Sequence, residues 1–84
     1  MARLTLWTRT KAEYVLERGS SGSTWTRTKR SEASAPLPAE QGPIVYWPPV
    51  SLMMPYPLIM RLPTADEPPV ILPTSEIVAF ATDN

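Results

Sequence analysis

WTRTKAEYVLERGSSGSTWTRTK, residues 7–29, opens and closes on the same five letters. In the first copy and the residues before it, Leu4, Leu6, Thr8 and Thr10 alternate with Thr5, Trp7, Arg9 and Lys11. In the second copy Trp25, Arg27 and Lys29 alternate with threonines. A period of two, carried by Thr and Trp, is the pattern of a half-buried strand. What joins the copies therefore decides the fold. Read as a strand, Glu13–Arg18 turns through the Gly/Ser loop 19–23 into the second copy, making a hairpin. Pairing Arg18 with Thr24 would then set Val15 opposite Arg27 and Glu13 opposite Lys29, a favourable cross-strand charge pair. Read as a helix, Thr10–Glu13 is a capping box, Ala12, Val15 and Leu16 share a face, and Gly19 ends the helix. Tyr14-Val15 and the short length favour the strand.

Outward from this stretch the chain divides in two. Residues 1–35 hold seven cations against Glu13, Glu17 and Glu32, whereas residues 36–84 hold only Arg61 against five acids. The net charge of zero is thus a cancellation. All eleven prolines lie in the second half. The expected organisation is a basic β-hairpin or meander anchor over 1–35, a linker over 36–43, and a Pro-rich extended arm over 44–84. A terminal strand is expected near 76–82, its run Ile77-Val78-Ala79-Phe80 suggesting burial on both faces. The fold class is mainly β with little regular structure: an N-terminal hairpin or three-stranded antiparallel sheet plus the arm. The prolines of the second half are too dense for a central strand of ordinary length. They also deny the uncharged run 41–60 a membrane-spanning helix, so no membrane span is expected. "PPVSL" at 48–52 and "PPVIL" at 68–72 are a second short repeat.

Catalysis has little to work with. There is no His and no Cys, which removes the commonest metal ligand, the usual base near neutral pH and the thiol nucleophile. Asp66 and Glu67 are adjacent, so an extended chain points them apart. "RGSSGS" lacks the Lys and the following helix of a phosphate loop. No enzyme, metal or cofactor is expected.

Two binding surfaces are expected instead. Trp7, Arg9, Lys11, Trp25, Arg27 and Lys29 could form a face on which bases stack and phosphates are tracked; the plainer reading has each Trp packed under the aliphatic stems of neighbouring cations. Tyr46, Trp47, Val50, Leu52, Met53, Met54, Tyr56, Leu58 and Ile59 would dock the arm on other protein subunits, with the aromatics as anchors. Ordering 84 residues costs on the order of 125 kcal/mol. A compact globule of this size recovers about the same, from roughly 8,500 Å² removed from water, about 60% of it apolar. An extended chain falls short and must borrow burial from partners. The leading expectation is a non-enzymatic accessory subunit of a large assembly. A capsid- or virion-type cementing role is favoured, because the neutral charge argues against a ribosome. A small RNA- or DNA-binding module and an arm-swapped homo-oligomer are the alternatives. No apolar secretory segment opens the chain, so an untargeted soluble protein of a virion or intracellular assembly is expected.

Overall fold

A computed structural model describes residues 2–20, 22–29 and 41–83. The chain is mainly β. Its strands are β1 (Ala2–Thr8), β2 (Glu13–Gly19), β3 (Gly22–Lys29), β4 (Gln41–Ile44), β5 (Pro55–Arg61) and β6 (Val70–Asp83). They form one six-stranded sheet in the order β4-β3-β2-β1-β6-β5, each pair antiparallel. An isolated bridge between Tyr46 and Ile59, with Val45 N–H donating to the Ile59 carbonyl at 2.9 Å, brings the two edges together. The sheet is therefore nearly a barrel.

Alternation selects what fills it. Leu4 and Leu6 of β1, Tyr14 and Leu16 of β2, and Trp25 of β3 point inward, and Ile44, Tyr56, Leu58 and Ile77 meet them in one core. Residues 13–19 are a strand, so the helix reading falls. The hairpin is tighter than the expected five-residue loop: Gly19 pairs with Gly22, and Arg18 with Ser23. Val15 consequently faces Thr26, and Arg27 faces Tyr14. A bulge between Glu13 and Tyr14 then restores the expected pairing of Glu13 with Lys29. Gly22, with φ of 127°, supplies a turn conformation that side chains resist. At the β1–β2 turn Lys11 takes φ of 68°. There Lys11 N–H donates to the Thr8 carbonyl and Thr8 N–H to the Ala12 carbonyl, both at 3.0 Å.

The second half departs from the expected arm. Strands β5 and β6 belong to the same sheet as β1, and their inward residues share its core. The prolines are accommodated because each sits where its strand has little neighbour to serve. The Ile59 carbonyl turns to Val45, away from β6, so by alternation Pro57 and Pro73 form a pair that exchanges no hydrogen bonds and neither is called on for an N–H; β6 at Pro73 is paired with β5 alone. The register shift between Pro55 and Pro57 leaves Tyr56 N–H to the buried Thr74 hydroxyl, 3.0 Å away. The expected linker lies mostly outside the described residues, and its last part, 41–43, is strand β4. Burial on both faces of 77–80 is also corrected. Ile77 is buried, but Val78, Ala79 and Phe80 are exposed. A bulge in the β1–β6 register follows Ile77, and no described strand continues β5 alongside.

Candidate functional site

The backbone of β6 changes company along its length. Residues 70–76 pair with β5, and from Ile77 onward the pairing is with β1. Ile77 is the last residue held from the β5 side, by Met53 N–H at 2.7 Å and the Met54 carbonyl at 3.0 Å. Beyond it, among the described residues, one edge of β6 has no strand beside it. Antiparallel alternation tells which groups lie there. Thr8 N–H bonds the Ala12 carbonyl, so even-numbered residues of β1 serve β2 and odd-numbered ones serve β6. Their β6 partners are Ala79, Ala81 and Asp83. Phe80 and Thr82 thus turn their N–H and C=O groups to the open edge.

Their side chains fall on the core side, opposite Leu6 and Leu4, yet Phe80 remains 45% exposed. A groove of about 380 Å³ explains it, lying between Phe80 and Thr82 on one side and the Trp47–Val50 segment on the other. Ala2, Leu4, Arg3 and Arg18 complete its lining, which among the described residues includes no acidic side chain. Trp47 and Val50 pack on the core from that segment, and the Tyr56 hydroxyl fixes it by donating to the Pro48 carbonyl at 2.8 Å. Burial, with the Tyr46 hydroxyl adding to it, pushes the Tyr56 phenol up to about 12. The Arg18 guanidinium lies over the Trp47 ring, 5.2 Å from its centroid, and has no carboxylate partner among the described residues. Arg3 is held at the surface by Glu17 at 3.5 Å. The Trp47 Nε1 is buried and has no hydrogen-bond partner among the described residues.

On the outside of the barrel a second feature stands out. Tyr46, Ile59 and Ile71 lie in register across three neighbouring segments, beside the pair Pro57 and Pro73. Tyr46 and Ile71 are exposed and Ile59 is half-buried. Leu52, Met53 and Met54, in the turn before β5, are exposed as well. The outer face of β1–β3 is unlike this. There Trp7 Nε1 donates to Glu13 Oε1 at 2.7 Å and the Thr28 hydroxyl donates to Glu13 Oε2.

The expected docking residues are thus divided. Tyr46, Leu52, Met53, Met54 and Ile59 reach the surface, and Trp47 and Val50 line the groove. Tyr56 and Leu58 do not qualify: β5 turns them inward, and both are core. The expected nucleic-acid face comes apart. Trp7 is on the outer face, Trp25 is fully buried inside, and Arg27 is buried on the same side as Trp25. Arg9 is exposed and engaged by Glu76 at 3.3 Å, and Lys11 occupies the turn. The side chain of Lys29 lies outside the described residues. Identical pentapeptides present opposite faces because β1 and β3 enter the barrel in opposite phase.

Comparison with family models, with curated proteins and with solved structures found no match. Among the described residues no helix is long and apolar enough to cross a membrane. Sequence reasoning missed Arg3, Arg18, Ile71 and Phe80. Ile71 was within reach, since "PPVIL" leads into a strand; the other three depend on the closure of the barrel.

Proposed function

We propose that this chain is a non-enzymatic accessory subunit of a larger protein assembly, held to neighbouring subunits through the outer face of its Pro-rich half. The observation that carries the reading is the row Tyr46–Ile59–Ile71 with the Pro57–Pro73 pair beside it. Directly opposed residues share a face, so these side chains make a connected apolar surface on the outside of the barrel, away from the core. The exposed Leu52-Met53-Met54 turn adds flexible apolar contacts of the kind that adapt to a partner. Contiguous surfaces of this type on small proteins mark interaction sites. The neutral net charge favours a protein partner over nucleic acid, as does the separation of Trp7 from Trp25.

The test is the size of the protein in extracts of its native cells or particles. It should elute in a complex much larger than the monomer. A Tyr46→Ser, Ile71→Ser double variant should elute as free, folded monomer. Wild-type protein eluting as a monomer, or a variant that stays in the complex, overturns the proposal.

A further inference from the structure

The open edge of β6 and the groove beside it are separate from the apolar row and call for an occupant of their own. Exposed strand edges are normally blunted by Pro, Lys or a covering segment. The stretch Val78-Ala79-Phe80-Ala81-Thr82 has neither Pro nor Lys, and it is rich in strand-forming residues. Phe80 and Thr82 offer two N–H donors and two C=O acceptors in a line, the template on which an extended peptide adds as a further strand. The groove beside them, about 380 Å³, is at the small end of ligand pockets, which run from roughly 300 to 1,000 Å³. It suits apolar side chains projecting from such a strand. Of its two arginines Arg3 is engaged by Glu17, whereas Arg18, stacked on Trp47 and without a carboxylate among the described residues, is pre-organised to meet a planar carboxylate.

We propose that the open edge of β6 receives an extended segment of a partner protein, with an apolar side chain in the groove beside Phe80 and Val50 and a carboxylate on Arg18. This rests on the reading of the chain as an assembly subunit and names one kind of contact it makes.

The experiment uses the full chain and two blocked eight-residue peptides alternating Thr and Val, one ending in Leu-Asp and the other in Leu-Lys. Binding is followed by NMR with amide exchange. The Asp peptide should bind saturably and slow exchange at Phe80 and Thr82, whose amides should exchange fast in the free chain. The Lys peptide should bind at least about tenfold more weakly, the ratio that 1.4 kcal/mol gives. Thr82→Pro removes an N–H that serves no ladder, so the chain should stay folded and lose binding about tenfold or more. Phe80→Lys, which fills the groove mouth with a cation, should do the same and stands in if the proline variant does not fold. No saturable binding, equal binding of the two peptides, or slow exchange at both amides in the free chain overturns the proposal. So does a dimer that Thr82→Pro dissociates, which would make a second copy the occupant. Failure here with the native complex intact, and still lost on Tyr46→Ser, Ile71→Ser, would leave the assembly reading standing.

Discussion

Replacing the two tryptophans of the repeated pentapeptide by alanine should have unequal costs, although their sequence surroundings are the same. Trp25 is 0% exposed and Trp7 36% exposed. A fully buried Trp removes about 200 Å² from water, worth about 5 kcal/mol at ~25 cal/mol per Å². Measured losses for Trp→Ala in cores run at about 3–5 kcal/mol, part of which is the cavity left behind. Trp25→Ala should fall in that range. The cost is eased a little because its Nε1 has no hydrogen-bond partner among the described residues. Trp7 keeps about two-thirds of its surface covered, which sets an upper bound of about 3 kcal/mol on the transfer term. No cavity forms, since water enters where the ring was. Its bond to Glu13 Oε1 is exposed and adds at most about 1 kcal/mol. About 2 kcal/mol is expected for Trp7→Ala, so the two variants should differ by about 2 kcal/mol. Urea unfolding followed by circular dichroism measures both. An 84-residue domain has about 4–12 kcal/mol in all, so Trp25→Ala should remove between about a quarter and all of the stability, and Trp7→Ala about half as much. Equal losses, or a larger loss at Trp7, would refute the assignment of the two rings to opposite faces.

Three further outcomes are expected. Gly42→Ala should destabilise by about 1–3 kcal/mol in the same assay, because a Cβ there would lie 3.0 Å from the immobile Trp25 Nε1; an unchanged midpoint would mean that the strands can separate at no cost. Lys11→Gly should stabilise by about 1 kcal/mol, since the turn holds Lys11 at φ of 68°, where an L side chain is strained; a loss of stability would show that the lysine side chain outweighs that strain. The phenol of Tyr56, raised to about 12 when folded, ionises near 10 when unfolded, so its neutral form is favoured by folding. Its contribution should be intact below pH 10 and fall by about 2 kcal/mol between pH 10 and pH 12. Tyr56→Phe should lack that extra slope, and identical profiles for the two proteins would contradict the burial of the hydroxyl.

The strands of the first half were legible because their alternation is strict. Leu4, Leu6 and Thr8 share one face as their spacing predicts, and Glu13 meets Lys29. The register between was not legible, because a tighter turn and a compensating bulge cancel over seven residues. The phase of Trp25 was hidden for a different reason: alternation tells which residues share a face, not which face is inside. Only the closure of the sheet, through the Tyr46–Ile59 bridge, makes that choice. Charge and proline content made the second half read as an arm. Proline does bar a strand with two neighbours, but β4, β5 and the first half of β6 are flanked on one side over most of their length.

This same reasoning bears on the open edge. Proline stands at 43 in β4, at 55 and 57 in β5 and at 73 in β6, where a missing N–H discourages a foreign strand. The long β6 has no proline after 73, and that is the part beside the groove, with its Phe80 and Thr82 backbone groups turned outward. An edge kept only for internal packing would gain protection from Pro at 80 or 82 without losing a ladder bond, because those positions do not serve β1. Instead the edge carries Phe, Ala and Thr beside an arginine that has no carboxylate partner among the described residues. The distribution of prolines thus separates edges closed to other chains from one left able to pair, and it places that one beside Arg18.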